Sequence, residues 1–303
     1  MSTDLTVILY TAAMGSLMVA IVSLTGFIYK LLKSRIEYQL MSIEKKSFVK
    51  PFPWELYLPE GEGPLALICI TPILGRLGFL EDLFLERWFA RFFSRKGFAV
   101  ALIDRPIFEF DPSQGIEQIQ TYLEDSVRRS IKILDEILKR DDILPTAIGT
   151  FGISFGGAVN VLWAARDPRL KAHVFALAGG NIAEIILTSR DPLMKSYLKS
   201  ILKATGLSKE NLLAALQKSI SLDPLKLTFS IPRENIFMLL GILDRVIRFR
   251  YGLALREALG KPQTVFLPLG HYPALLAIPL LKWWALNFFT QRLQDGVKSR
   301  HSP

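Results

Sequence analysis

The sequence predicts an α/β protein: a mostly parallel central sheet with helices on both faces, preceded by one transmembrane helix. Three observations carry that expectation. Short apolar runs recur through residues 54–294, separated by stretches of helical periodicity. The runs are continuous rather than alternating, as strands covered on both faces require. Ahead of them, Leu5 to Tyr29 is a stretch of 25 residues without a single charge.

The chain has 303 residues, half of them apolar, and a mean hydropathy of +0.30. It is long enough to bury a full core and too apolar to be disordered. A lone cysteine, Cys69, excludes a disulfide scaffold and fits a reducing compartment. The three histidines, His173, His271 and His301, leave little for a His-rich metal site.

A helix over residues 5–29, at about 1.5 Å per residue, exceeds the roughly 30 Å of hydrocarbon in a bilayer. Ahead of it stand only the amino terminus and Asp4, so the basic leader of a cleaved signal is missing. Residues 30–50 then carry six Lys or Arg against two Glu, a net +4. That asymmetry places the N-terminus outside and the rest of the chain in the cytoplasm. Anionic lipid accounts for much of the overall charge of +9, and no nucleic-acid partner is expected. Residues 1–35 therefore read as a membrane anchor, and 36–53 as a juxtamembrane linker closed by Pro51 and Pro53.

Beyond the linker, strands are expected at 54–59, 65–71, 98–104, 147–153, 172–178, 235–240 and 264–268. Helices fall between them. One over 80–96 stops at Gly97, a residue suited to the left-handed position after a helix. Another over 116–140 sets Ile116, Ile119, Leu123, Val127, Ile131, Leu134 and Leu138 on one stripe. Strand–helix alternation of this kind builds a parallel sheet. Residues 179–230 make a longer excursion with two helices, one capped by Asp191 with Pro192 behind it, the other starting after Ser208. This excursion is a candidate lid, or a plain extension of the core. Residues 273–289 are short for a span and interrupted by Pro279 and Lys282, so they read as a closing core helix, followed by a tail at 295–303.

The chemistry concentrates at Gly152-Ile153-Ser154-Phe155-Gly156, where an apolar strand runs into a G-x-S-x-G pattern and a helix with small residues runs out. Such a strand–turn–helix setting holds a serine hydroxyl on a sharp elbow above a sheet. An incidental serine in a Gly-rich turn would read the same way. A serine hydroxyl needs a base to take its proton. His271 follows the last strand, whereas His173 begins an earlier strand and His301 lies almost at the C-terminus. A carboxylate must then hold the imidazole, and Asp244, just past the preceding strand, is better placed than Glu234, Asp223 or Asp104. Cys69 lies inside an apolar strand and reads as packing. No P-loop, dinucleotide fingerprint or zinc-ligand spacing is present.

With these residues in place, residues 54–294 resemble the α/β-hydrolase superfamily, whose chain order of nucleophile, acid and base is matched by Ser154, Asp244 and His271. The resemblance implies a serine hydrolase that works through an acyl-enzyme without cofactor or metal, here joined to the membrane anchor read from residues 1–35. It also implies an oxyanion hole made by the backbone N–H groups of Phe155 and Ile73. The second donor is the departure: Thr71-Pro72-Ile73 stands where the family usually has a His-Gly pair, and Pro72 has no N–H to give. The expected substrate is a small acyl ester or lipid-like molecule. A peptidase, thioesterase or acyltransferase would carry the same residues, and so would a non-catalytic membrane protein of this shape that binds a lipid or protein partner. Oligomeric state is not encoded in these patterns.

Overall fold

Among the described residues, seven strands form one sheet in the order β1-β3-β2-β4-β5-β6-β7. They are β1 (Trp54–Tyr57), β2 (Leu65–Thr71), β3 (Ala99–Ile103), β4 (Ile143–Ile153), β5 (Leu170–Ala176), β6 (Ile236–Gly241) and β7 (Gln263–Leu267). All neighbours run parallel except β1, which is antiparallel to β3. The computed structural model describes residues 54–60, 63–73, 84–104, 111, 114–227 and 231–294. The expected anchor, the linker and the tail at 295–303 lie outside the described residues. Among the described residues, no helix is long and apolar enough to cross a membrane.

Eight helices accompany the sheet among the described residues: α1 (Phe84–Ser94), α2 (Gln118–Ile137), α3 (Phe155–Ala164), α4 (Ile182–Thr188), α5 (Pro192–Thr205), α6 (Lys209–Ser219), α7 (Phe249–Ala258) and α8 (Ile278–Phe289). Because successive strand residues point to opposite faces, β2 feeds two cores. Ile68 and Ile70 pack with Phe89 and Phe93 of α1 and with Ala285 and Phe289 of α8. Leu67 and Cys69 pack on the other face with Leu123 and Val127 of α2 and with Leu162 and Trp163 of α3. This two-sided burial is why the strands read as continuous apolar runs.

The expected strands are all present, with ends shifted by a few residues. The largest shift is in β4, which begins at Ile143 rather than 147. Its first residues pair with Leu65, and the register then slips before Leu67, so Pro145 sits at an irregularity. The expected closing helix is split. A 3₁₀ segment covers Pro273–Ala277, and α8 begins at Ile278 with Pro279 in its first turn, where a missing N–H costs nothing.

Candidate active site

β4 ends at Ile153 and α3 starts at Phe155, leaving Ser154 alone to turn the chain. Its backbone is at φ 56°, ψ −120°, a conformation that a residue with a Cβ adopts only at a cost. The turn is over-determined by its neighbours. The Ser154 N–H donates to the Ala176 carbonyl of β5 (2.8 Å), and Ala158 N–H donates back to the Ser154 carbonyl (3.2 Å). The glycines are sterically required: a Cβ on Gly152 would come within 2.5 Å of the Gly156 carbonyl, and one on Gly156 would collide with the Thr71 carbonyl. Thr71 Oγ1 donates to the Gly156 carbonyl (2.8 Å), tying the end of β2 to the start of α3.

His271 lies beyond β7, and its Nε2 is 3.1 Å from Ser154 Oγ. Its Nδ1 is 2.7 Å from Asp244 Oδ2. Asp244 lies in the loop after β6, buried, and its second oxygen accepts from the N–H groups of Val246 (2.8 Å) and Ile247 (2.9 Å). Those two amides fix the carboxylate and compensate its desolvation. The three residues expected from the sequence therefore meet in one hydrogen-bonded line. A base within reach of a hydroxyl, held by a buried acid, can move a proton off that hydroxyl and return it to a leaving group.

The rivals are elsewhere. His173 is buried in β5 with its Nδ1 3.1 Å from Thr150 Oγ1, and burial pushes its pKa down to about 3. Asp223 is spent on structure, accepting from the N–H groups of Asn181, Ile182 and Leu225. Burial raises the Cys69 thiol far above its ordinary range, which makes it inert. Among the described residues, no cluster of His, Cys, Asp or Glu could hold a metal ion.

The two expected oxyanion donors differ in what their N–H groups meet. Phe155 opens α3, where no intrahelical acceptor exists for its N–H. Ile73 lines the cavity, and its N–H donates to Glu86 Oε1 at 2.9 Å. Glu86 is a buried side chain of α1, and a buried carboxylate is a stronger acceptor than a carbonyl. In this structure the second donor is occupied. The sequence offers no sign of this, because the partners pair across 13 residues through a segment with no recognisable motif.

Over the serine lies a cavity of about 340 Å³, walled by apolar side chains including Ile119, Phe155, Ile182, Ile186 and Met194. The excursion between β5 and β6 supplies much of that wall through α4 and α5. It also rests on the core, since Ile186, Ile201 and Leu216 join the cluster beneath α2 and α3. Two links tie it to the loops that carry the acid and the base. The Arg190 N–H donates to the Arg245 carbonyl (2.9 Å), next to Asp244. Tyr272, adjacent to His271, donates its hydroxyl to Asp191, the N-cap of α5. Burial and then this carboxylate raise the Tyr272 pKa, keeping it a neutral donor.

Comparison with known proteins adds to this geometry. An acetyl xylan esterase from a Paenibacillus species superposes with a TM-score of 0.59 at 16% identity, over 80% of this chain and 80% of that one. Acetyl xylan esterase 1 from a Thermoanaerobacterium species gives 0.60 at 12% identity, over 78% and 79% of the two chains. An acylaminoacyl peptidase from Pyrococcus horikoshii gives 0.59 at 16%, over 80% of this chain but 40% of the peptidase. The chain has the α/β-hydrolase fold. At these identities the likeness concerns the fold alone, and neither a family model nor a curated protein matches the sequence. Ser154 follows β4, Asp244 lies in the loop after β6 and His271 in the loop after β7, so all three stand at one edge of the sheet.

Proposed function

We propose that the protein is a membrane-anchored serine hydrolase that cleaves a small carboxylic ester or lipid-like acyl substrate. The observation that carries this is the line from Ser154 through His271 to Asp244, at 3.1 and 2.7 Å, beneath an apolar cavity. Ser154 Oγ attacks the acyl carbonyl carbon while its proton passes to His271 Nε2. The tetrahedral intermediate expels the alcohol, which takes that proton. Water then attacks the acyl-enzyme by the same route, releasing the acid and restoring Ser154. Asp244 holds the imidazole tautomer and stabilises the imidazolium. The Phe155 N–H faces the developing oxyanion. No cofactor enters this scheme.

Ester chemistry is supported by a cavity wall suited to an acyl chain, while the structural neighbours include esterases and peptidases alike. The anchor reading rests on the uncharged stretch 5–29 and its +4 flank, which assign the hydrolase domain to the cytoplasm. A second reading, a hydrolase-shaped protein that binds a lipid or partner without turnover, draws on one observation: the Ile73 N–H is bound to Glu86.

The test is hydrolysis of soluble esters of graded acyl length by the full chain in detergent. Ser154→Ala and His271→Ala should each lower turnover by roughly four orders of magnitude, with the double variant little worse, because the groups act as one unit. Asp244→Asn should be severe but smaller. Undiminished hydrolysis in Ser154→Ala would move the chemistry elsewhere.

A further inference from the structure

The parallel strands all end at the catalytic edge, but β1 is antiparallel and begins there. Trp54 pairs with Ile103, the last residue of β3, level with Thr71 and Gly152. At about 4.8 Å per strand, the start of β1 is about 14 Å across the sheet from β4 and the nucleophile. Residues 1–53, with the apolar stretch and its basic flank, thus join the domain on the side where the cavity opens.

That side also carries exposed apolar side chains. Leu193 and Tyr272 line the cavity, yet each is nearly half exposed. Ile242 and Leu243 project from the loop that carries Asp244, with Leu243 61% exposed, although an apolar side chain so placed gains nothing from water. Backbone bonds from Ile242 to Leu267 and from Leu243 to Leu269 hold them beside the loop that carries His271. Exposed positive charge accompanies them: Arg190 and Arg245, joined through their backbones, and Lys195 in the first turns of α5. The carboxylates on the same segments, Asp191 and Asp244, are paired with Tyr272 and His271.

We infer that the cavity opens onto the bilayer that holds the N-terminal segment. Ile242, Leu243, Leu193 and Tyr272 seat in the interface, Arg190, Arg245 and Lys195 meet anionic headgroups, and the ester enters from the lipid phase. This rests on the anchor reading above. The linker 36–53, at no more than about 3.6 Å per residue, has the reach to let the mouth meet the surface. Apolar residues interleaved with basic ones are the composition that binds an anionic interface.

The experiment uses the full chain in vesicles of phosphatidylcholine and phosphatidylglycerol. Cys69 is fully buried and unreactive, so Leu243→Cys, or Lys139→Cys at the opposite edge before β4, can be labelled selectively with a bimane fluorophore. A nitroxide on the lipid acyl chains should quench the label at 243 and spare the one at 139. Protein that floats with the vesicles but shows no quenching at 243 would overturn the inference and leave the anchor intact. Protein that does not float would overturn both. In a second arm, Ile242→Ser with Leu243→Ser should slow hydrolysis of a vesicle-borne ester roughly tenfold. Hydrolysis of a soluble ester should hold steady, since neither side chain lines the cavity. Equal losses on both esters, or no loss on either, would contradict a lipid-facing role for this rim.

Discussion

His173 and His271 carry the same ring in opposite settings. His173 is fully enclosed in β5, where burial holds its pKa at about 3, against an ordinary value near 6.5 for an unfolded chain. Between those values the unfolded state binds a proton that the native state refuses, so stability rises with pH across this window. The contribution is complete above about pH 6.5 and is lost progressively as pH falls toward 3, with a slope of up to about 1.4 kcal/mol per pH unit. Chemical denaturation across pH should show this slope, and His173→Asn, which can still bond to Thr150, should flatten it while leaving the acid loss due to other groups. His271, by contrast, is only partly enclosed, with a carboxylate on one nitrogen and a hydroxyl on the other. That difference was legible in the sequence, because His173 lies within an apolar run and His271 just past one. Glu86 was not legible, since nothing local marks a carboxylate that will bind an N–H of another segment.

Helices α4 and α5 supply much of the wall of the cavity over Ser154. The base of α4 is fixed to α7, where Tyr251 bonds to both Thr188 and Glu184. The start of α5 is fixed to the catalytic loop through Asp191 and Tyr272. Asp191 has two tasks, since it also accepts from the Met194 N–H as the helix cap. Tyr272→Phe removes one task and Asp191→Ala both. The alanine variant should therefore lose stability by about 1 kcal/mol from the lost cap, and the phenylalanine variant should lose less. Both should shift KM for long acyl esters more than for short ones, because the segment they hold contributes Leu193 and Met194 to the apolar wall of the cavity. Unchanged KM values across acyl lengths would separate this contact from substrate binding. The sequence announced the caps at Asp191 and Ser208 because cap chemistry is local. It did not announce α7, whose N-cap residue Arg248 makes no side-chain capping bond, nor the Tyr272–Asp191 contact, which joins residues 81 apart.

The sheet sets the position of everything above it. Parallel strands bring three carboxyl ends together, which lets a serine, an aspartate and a histidine separated by 117 residues of chain form one line. This arrangement was readable from strand runs and the residues just past them, while the antiparallel sense of β1 required the register itself. Because every described strand of the sheet lies at or after Trp54, removing residues 1–35 should leave turnover of a soluble ester unchanged and, on the proposed anchoring, release the protein from membranes. The claim beneath all of this is that Ser154 is an activated nucleophile, and reaction with a fluorophosphonate followed by peptide mass mapping tests it directly. The expected result is one adduct, on Ser154, formed by the full chain, abolished by Ser154→Ala and greatly slowed by His271→Ala. A reagent that enters the cavity and leaves Ser154 unmodified, or an adduct that forms as fast without His271, would contradict it.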